Sequence, residues 1–278
     1  MKLTLIVAPY DSGHMHSGFG RGPDAILAAG LVETLEDAGH DVVADDIGKV
    51  GPQQAREIAT GFAVCAAVAE KVSAARDEER FPIVLTGNCL TANGAVAGEN
   101  ADSIVWLDQH GDINTPETSP SGFLDGMALS TVLGLCWKQV AATIPGFHPI
   151  DPARCVLVDA RDLDAQEKAL LATLPVATAS CANAADKVAA LRAAGAHRTH
   201  LHIDLDVHDP ATLQVNRYAT PGGPTPEQVR QAACEIARAQ PLSGISISAY
   251  DPVFDAKGEV PPVVGALLVE LLAALERI

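Results

Sequence analysis

Basic residues are scarce in this sequence. Its 278 residues include 19 Lys and Arg against 35 Asp and Glu, which gives a formal net charge of −16 at pH 7. Binding to nucleic acid or to an anionic membrane surface depends on clusters of Lys and Arg, and the sequence holds no such cluster. Neither nucleic acid nor membrane is therefore expected as a partner.

Long apolar runs and paired cysteines are also missing. The N-terminal segment MKLTLIVAPYD has six apolar-leaning residues before Pro9, which is too short for a signal peptide. No run reaches the roughly 18 apolar residues of a membrane-spanning helix. The six cysteines form no Cys-x-x-Cys pair, which is typical of reduced thiols and not of a disulfide framework or a zinc ribbon. We therefore expect a cytoplasmic protein.

Short apolar runs alternate with longer Ala-rich segments along the chain. The runs predict strands at Leu3 to Ala8, Asp41 to Ala44, Ile83 to Thr86, Ser103 to Leu107, Cys155 to Val158, Val176 to Ala179, His200 to Ile203 and Ile245 to Ser248. The other segments predict helices at Pro23 to Ala38, Gln53 to Ala75, Met127 to Leu135, Ala165 to Ala172, Ala184 to Ala194, Pro226 to Ala239 and Val263 to Glu276. This alternation predicts an α/β fold in which a mostly parallel sheet of about eight strands carries helices on both faces. No linker interrupts it, so residues 1–278 are expected to form a single domain.

Polar motifs follow four of the predicted strands, where ligands gather in parallel α/β folds. They are GNC at 87–89, DQHGD at 108–112, RDLD at 161–164 and HIDLDVHDP at 202–210. Every second side chain of an extended segment points to the same face. Asp108, His110 and Asp112 are therefore expected to share a face. Asp204 and Asp206 are expected to do the same.

These carboxylates predict a metal site. Converging acidic groups raise one another's pKa, and a pair of bound cations removes that repulsion. A single Asp-x-Asp after a strand is often a solvated turn or a helix cap, but two such motifs in one chain favour metal binding. A ligand set rich in carboxylate and poor in imidazole suits manganese better than zinc. Two such ions can activate a water at neutral pH, so hydrolysis is the expected reaction.

The same motifs resemble those of the ureohydrolase family, which comprises arginases, agmatinases and formiminoglutamases. The resemblance runs from APYDSGHMHSGFGRGPDAILAAGL near the N-terminus, through WLDQHGDINTPETSPSGFLDG and VDARDLDAQE, to HIDLDVHDP. It implies a three-layer α/β/α fold and a hydrolase that acts on linear amidines with two manganese ions and a metal-bridging hydroxide. It also implies a homo-oligomer, either a trimer or a hexamer.

The resemblance gives separate expected roles to the acidic residues. Asp108 and Asp204 would each contact both ions. Asp112 would complete one site and orient the hydroxide, whereas His110 and Asp206 would complete the other. Asp112 and His110 are accordingly expected to take part in catalysis as well as in metal binding.

One ligand position departs from the family. Cys89, in TGNC, stands where the family usually has a histidine. A thiolate is a softer ligand than imidazole, so this site is expected to bind manganese weakly or to prefer iron, cobalt or zinc. The alternative is that Cys89 is a small buried residue and that the site is half empty.

Four residues resemble the positions that hold the amino-acid end of arginine in arginases: Asn114, Ser121, Asp164 and Glu167. Asn and Ser donate hydrogen bonds to a carboxylate, and an acidic pair suits an ammonium group. An amino-acid substrate is therefore favoured over agmatine, which has no carboxylate. The alternative is that Asn114 and Ser121 only cap loop turns.

Two further departures lie where the guanidinium would bind. Ala249 matches the family's guanidinium-binding glutamate, and Asp251 would lie about 6.5 Å further along the same face of an extended chain, where it could replace that glutamate. Asp125 matches the family's proton-shuttling histidine. Asp125 is thus one candidate proton donor, and His14 or His16 of the Gly-rich N-terminal loop is another.

The substrate expected from these changes is a modified arginine. A guanidinium site normally presents a fixed carboxylate, so its loss at Ala249 favours a substrate such as N-hydroxyarginine. Other guanidino or formimino amino acids stay open. The alternative to an enzyme is a catalytically impaired arginase-fold protein that binds a ligand or a partner protein. Against it, five of the six metal positions and all four amino-acid positions keep chemically competent side chains.

Overall fold

Parallel strands form the centre of the protein. The computed structural model describes residues 1–51 and 56–276. Within them the sheet consists of β1 Lys2–Ala8, β4 Asp41–Asp46, β5 Phe81–Thr86, β6 Ser103–Leu107, β7 Cys155–Val158, β8 Ala177–Ala179, β9 Thr199–Asp204 and β10 Leu242–Ser248. A separate hairpin is made of β2 Tyr10–Asp11 and β3 His14–Met15. The order in the sheet is β4-β1-β5-β10-β9-β6-β7-β8, and all its strand pairs are parallel.

Helices cover both faces of this sheet. They are α1 Gly22–Ala28, α2 Leu31–Asp37, α3 Glu57–Asp77, α4 Ala92–Glu99, α5 Ala128–Val132, α6 Lys138–Ala141, α7 Ala165–Leu171, α8 Ala184–Ala193, α9 Pro226–Ala239 and α10 Val260–Leu275. Side chains of α1, α2, α8, α9 and α10 belong to the core on one face. Side chains of α3, α4 and α5 belong to the cores on the other. The predicted three-layer α/β/α fold with a parallel eight-stranded sheet is therefore confirmed.

The central strands are buried on both faces, which explains their continuous apolar sequences. Every residue of β6 and of β9 is buried. The edge strand β4 has a largely exposed pattern, and its polar sequence made it the weakest of the strand predictions. Polar residues such as Asp108 and Asp204 therefore stand out where a buried strand ends.

The helices differ from the prediction in three places. The segment from Pro23 to Ala38 forms two helices, because Gly30 takes a left-handed conformation with φ of 88° between them. Helix α4 was not predicted, since all eight of its residues are buried and it has no polar face. The short α6 was also missed. The helix predicted from Gln53 starts among residues 52–55, which lie outside the described part, and it is helical from Glu57 onward.

Helix α3 contradicts the expectation that no segment is long and apolar enough to span a membrane. By length and composition alone it could cross a membrane, with a mean hydropathy of 1.4 over its most apolar window. Half of that window is buried inside the protein. Phe62, Val64 and Val68 pack into cores with the sheet and with α4. This is the packing of a core helix.

Candidate metal centre and substrate cavity

The carboxyl ends of the central strands bring the predicted metal ligands together. Cys89 follows β5, Asp108 follows β6 and Asp204 ends β9, and these strands lie in the order β5-β10-β9-β6. Because the strands are parallel, their carboxyl ends lie at one edge of the sheet. All three side chains are buried there.

Two sets of side chains at this edge are arranged so that each could hold a metal ion. The ligand atoms within each set lie within 4.8 Å of one another, and the sets are Cys89 with Asp108 and Asp112, and Asp108 with His110 and Asp206. We call the first the thiol set and the second the imidazole set. Asp108 belongs to both. Asp204 adjoins the thiol set, because its Oδ2 accepts a hydrogen bond from Cys89 Sγ at 3.0 Å.

Burial and mutual repulsion perturb the carboxyl groups of this centre. Burial raises the pKa of Asp112 well above its ordinary value, and the charge of Asp108 raises it further. The pKa of Asp204 is raised in the same way, by burial and then by the charge of Asp206. Burial also raises the pKa of Asp206, to about 6. The centre therefore favours a gain of positive charge, either as protons or as metal ions.

His110 lies where it responds to two of these carboxylates. Its Nδ1 is 3.3 Å from Asp108 Oδ1 and 3.5 Å from Asp206 Oδ2. Burial lowers the pKa of His110, but the hydrogen bond to Asp108 and the charge of Asp206 outweigh this and raise it to about 10. In the neutral ring the same nitrogen would offer its lone pair to a cation shared with both carboxylates.

Two carboxylate oxygens give the test of whether these residues fit a pair of cations. Asp112 Oδ2 and Asp206 Oδ1 are buried and accept no hydrogen bond from any described residue. Leaving a buried polar atom unpaired costs about 1–3 kcal/mol, and more for a charged group. One of these oxygens belongs to each set. The residues present therefore fit two divalent ions.

Cys89 is the soft member of the thiol set. Its side chain is buried, and burial together with the charge of Asp204 raises the pKa of the thiol well above its ordinary value. Its Sγ faces carboxylates, which agrees with a ligand position better than with a small residue that only fills the core. Softness of the sulfur still separates this set from the imidazole set.

The sequence analysis missed three side chains that hold the ligands. Trp106 Nε1 donates to Asp108 Oδ2 at 3.0 Å, and Asn216 Nδ2 donates to Asp206 Oδ2 at 3.3 Å. Ser248 Oγ lies 3.2 Å from Cys89 Sγ. Trp106 precedes Asp108 by two residues, so the alternation of an extended strand could have indicated it. Asn216 lies in an irregular loop, where no pattern marks it.

A cavity of about 250 Å³ adjoins the carboxylates. Its lining includes all the residues predicted to hold the amino-acid end of a substrate, and also the candidate acid: Asn114, Ser121, Asp164, Glu167 and Asp125. His110, Asp112 and Asp206 line it as well. The metal centre and the predicted substrate residues therefore face one space.

Aromatic side chains form part of the same cavity wall. The ring centroid of Tyr218 is 5.9 Å from that of Phe19 and 6.3 Å from that of Phe123. All three rings line the cavity beside Ala249. Only 4% of the sequence is aromatic and these three residues lie far apart in it, so no sequence pattern indicated their meeting.

The four residues predicted to hold the amino-acid end of the substrate form what we call the amino-acid clamp: Asn114, Ser121, Asp164 and Glu167. Hydrogen bonds hold these residues in place. Asn114 Nδ2 donates to Asp164 Oδ2 at 3.0 Å. Asp164 begins α7 in a capping box with Glu167, whose Oε1 also accepts from the backbone of Ile113 at 3.3 Å. Ser121 Oγ accepts from the backbone of Phe123 at 3.1 Å and remains exposed. Asn114 and Ser121 thus make turn contacts and also line the cavity.

Asp251 does not have the position expected from an extended chain. Ala249 takes a left-handed conformation with φ of 64°, which ends the alternation of side chains in β10. Asp251 instead pairs with Arg21 at 3.0 Å and accepts from the backbone of Val253. It is absent from the described residues that line the cavity. The structure therefore does not bring Asp251 to the cavity with the other predicted substrate residues.

The candidate proton donors separate in the same way. His14 is exposed in the hairpin and His16 pairs with Asp24 at 2.6 Å, and neither is among the described residues of the cavity lining. Asp125 lines the cavity, accepts from the backbone of Leu90 at 2.9 Å, and has its pKa raised to about 8 by burial. Asp125 is the one of the three candidates that reaches the site in the described part of the chain.

The fold and the site together define an α/β protein with a buried, carboxylate-rich centre suited to divalent cations at the carboxyl edge of its sheet. A sequence model described as the Arginase family matches residues 1–274. The chain therefore belongs to the arginase family.

Individual relatives agree with this assignment. An arginase of Bacillus caldovelox is 30% identical over 291 residues, which cover 96% of each chain. An arginase of Bacillus subtilis (strain 168) is 34% identical over 179 residues, or 60% of each chain. The crystal structure of arginase from Bacillus cereus superposes with a TM-score of 0.87 at 28% identity and covers 98% of both chains. These relatives are arginases, so the predicted family and the predicted enzyme class, a hydrolase acting on linear amidines, are confirmed.

Proposed function

We propose that this protein hydrolyses a C–N bond in the guanidino group of an arginine-like amino acid, with N-hydroxyarginine as its preferred substrate. The observation that carries the proposal is one cavity that joins the metal centre to the amino-acid clamp and contains Ala249 where a fixed carboxylate would be expected. Such a cavity suits a substrate with an α-amino acid end and an altered guanidinium.

Two divalent ions would be held by the two sets. Asp108, His110 and Asp206 offer oxygen and nitrogen, which suit manganese, whereas Cys89 adds a sulfur beside Asp108 and Asp112 that suits a softer ion. When bound, such ions supply Lewis-acid activation of a water at neutral pH. The identity of both ions is part of this proposal.

The remaining steps belong to side chains of the chain itself. Asp112 has two carboxylate oxygens beside the cavity, so one can face the cation position while the other accepts a hydrogen bond from the attacking water and orients it. Asp125 Oδ1 accepts from the backbone of Leu90, which holds this carboxyl group at the cavity. Burial raises the pKa of this carboxyl group and so favours its protonated form, from which it can deliver a proton to the leaving amine.

The amino-acid clamp would bind one end of the substrate, and the aromatic wall would lie beside its guanidino group. Asn114 and Ser121 suit the α-carboxylate, and Asp164 with Glu167 suits the α-ammonium group. A hydroxyl substituent makes a guanidine less basic. The hydroxylated group therefore depends less on a facing carboxylate than the guanidinium of arginine does. Ala249 leaves room for it beside the aromatic rings of the wall.

A substrate panel tests this proposal. Purified protein supplied with Mn²⁺ is assayed for urea or hydroxyurea from arginine, N-hydroxyarginine and agmatine. We expect kcat/KM to be highest for N-hydroxyarginine and agmatine to be the poorest substrate. The proposal fails if agmatine is preferred, or if no substrate reacts.

The Ala249→Glu variant sharpens the same test. It restores a carboxylate in the cavity, so we expect the preference to move toward arginine by about 10-fold. Ala160→Glu, on a strand-end loop outside the described cavity lining, is the matched control and should leave the preference unchanged.

A binding protein without activity is the alternative to this enzyme. The replaced positions at Cys89 and Ala249 are the features that it would explain. Absence of bound metal together with absence of product from all three substrates would favour it. The cytoplasmic location, the single domain over residues 1–278 and the assembly into trimers or hexamers stay predictions.

A further inference from the structure

A hydrogen-bonded relay of polar side chains, all buried except the half-buried Ser243 at its outer end, runs through the core toward the metal centre. It starts between α4 and the amino end of β10, follows β9 and β10, and ends at the thiol set. Its members, in spatial order, are Ser243, Glu99, His200, Ser246, His202, Ser248 and Cys89. The reaction proposed above uses only the last of them.

The outer half of the relay is anchored by the carboxylate of Glu99. Ser243 Oγ donates to Glu99 Oε2 at 2.6 Å, and His200 Nδ1 lies 2.8 Å from Glu99 Oε1. His200 Nε2 lies 2.8 Å from Ser246 Oγ. A carboxylate can only accept, so both Ser243 Oγ and His200 Nδ1 donate to Glu99.

The second half continues without a gap to the metal centre. Ser246 Oγ lies 2.6 Å from His202 Nδ1, and Ser248 Oγ lies 3.3 Å from His202 Nε2. Ser248 Oγ in turn lies 3.2 Å from Cys89 Sγ. When Cys89 binds an ion as a thiolate, its sulfur can only accept, so Ser248 donates its single hydrogen to Sγ and accepts from His202 Nε2. The other ring nitrogen of His202, Nδ1, then accepts from Ser246 Oγ, so each hydrogen bond determines the direction of the next.

His202 also contacts the other side of the centre. Its ring stacks on the ring of Trp106, with centroids 3.8 Å apart and planes inclined by 29°. Trp106 in turn donates from Nε1 to Asp108 Oδ2. One ring therefore touches the residues that hold Cys89 on one side and Asp108 on the other.

Burying the polar side chains of the relay costs folding free energy, and the backbone leaves space for them. Glu99, His200 and Ser246 are fully buried, and well-packed apolar side chains in such positions often give a more stable core. A Cβ at position 244 would lie 2.2 Å from Glu99 Oε1, so Gly244 leaves the space that the carboxylate occupies. Fold stability alone gives no reason for this arrangement.

We propose that His202 is a positioning residue of the metal centre, fixed by Glu99 and His200 and acting on Cys89 through Ser248. The relay holds Sγ at the distance and orientation from which it can bind an ion. This inference rests on the proposed function, because it requires that the thiol set binds a metal.

Cobalt(II) binding tests the relay directly. Co²⁺ is added to metal-free protein, and a sulfur-to-cobalt charge-transfer absorption reports ligation by Cys89 while titration gives Kd. We expect Ser248→Ala to weaken or shift this absorption and to raise Kd for Co²⁺ about 10-fold. Glu99→Gln should change the absorption and the Kd in the same direction but by less, because Glu99 lies further from Cys89 along the relay.

The control is Ser103→Ala. Ser103 is likewise a fully buried serine of the sheet, and its Oγ lies 2.7 Å from Thr199 Oγ1 at the opposite end of the strands. We expect this variant to keep the absorption and the Kd of the unmodified protein. If Ser248→Ala does not fold, Ser246→Ala is measured in its place, two hydrogen bonds further from the metal because His202 lies between the two serines.

Two outcomes overturn the relay. The first is an unmodified protein that binds Co²⁺ with no sulfur absorption, since Cys89 would then not be a ligand. The second is a Ser248→Ala or Ser246→Ala variant that matches Ser103→Ala in both measurements. Neither outcome decides the proposed function, which is judged by product formation in the unmodified protein.

Discussion

The thiol set and the imidazole set share Asp108 yet differ in chemistry. The thiol set combines a sulfur with two carboxylates and is buried throughout, whereas the imidazole set combines a nitrogen with two carboxylates and is partly open at His110. By the chemistry of their ligand atoms, the imidazole set suits a hard ion such as Mn²⁺ and the thiol set suits a softer ion. The comparison teaches that a single side chain, Cys89, makes two adjoining cation positions unequal.

Removing the shared ligand should abolish the difference by disabling both sets. We expect Asp108→Asn to lose Mn²⁺ from both, measured by elemental analysis, and to lower kcat/KM by at least about 10³-fold, because metal activation contributes several kcal/mol. Asp186→Asn, on the exposed side of α8, serves as the control. Retention of two ions by Asp108→Asn would contradict the shared role.

The pH dependence of stability should show how much both sets need positive charge. Carboxyl groups with a raised pKa keep protons that the unfolded chain has already released, so the metal-free protein should lose stability as pH rises. The loss should begin near the ordinary value of 3.8 and extend through about 6 for Asp206 and about 8 for Asp125.

Thermal unfolding in the presence of a chelator measures this effect. The rise of the Asp206 pKa from 3.8 to about 6 alone corresponds to roughly 3 kcal/mol of folding stability that is lost as the pH rises through this range. Saturating Mn²⁺ should flatten the dependence, since bound ions replace the protons. A metal-free protein with the same Tm at pH 5 and pH 8 would argue against a repulsive centre.

Making the two sets alike should narrow their difference. Cys89→His replaces the sulfur with an imidazole, so we expect Mn²⁺ to bind the altered set roughly 10²-fold more tightly and the occupancy per chain to rise. Cys155→Ala, at a buried cysteine of β7, controls for the loss of a core thiol. Unchanged occupancy would show that position 89 does not contribute a ligand.

A change at a residue that contacts the imidazole set and not the thiol set should have the smallest effect on the difference between them. Asn216 Nδ2 donates to Asp206 Oδ2 at 3.3 Å, so Asn216→Ala is expected to raise the Kd for Mn²⁺ about 10-fold. The sulfur-to-cobalt absorption of the thiol set should remain unchanged and provides an internal control. Equal weakening of both sets would indicate that Asn216 acts on the whole fold.

Much of the site was predictable because it depends on strand ends. Asp108 and Asp204 follow buried apolar strands, and parallel strands bring such residues to one edge whatever the strand order. The position of Asp251 was mispredicted, because alternation of side chains applies only while the chain stays extended and Ala249 ends it with a positive φ. The aromatic wall came from separate loops and had no local signal.

The sequence by itself determined the α/β class and the presence of carboxylates after buried strands, because these follow from local patterns of apolar and acidic residues. Its motifs carried the resemblance to the family. Only the tertiary structure decided which ligands form a set, which candidate acid reaches the cavity, and that Glu99 connects to Cys89 through the core. Those relations depend on strand order and on distances between residues far apart in the chain, and no local pattern encodes them.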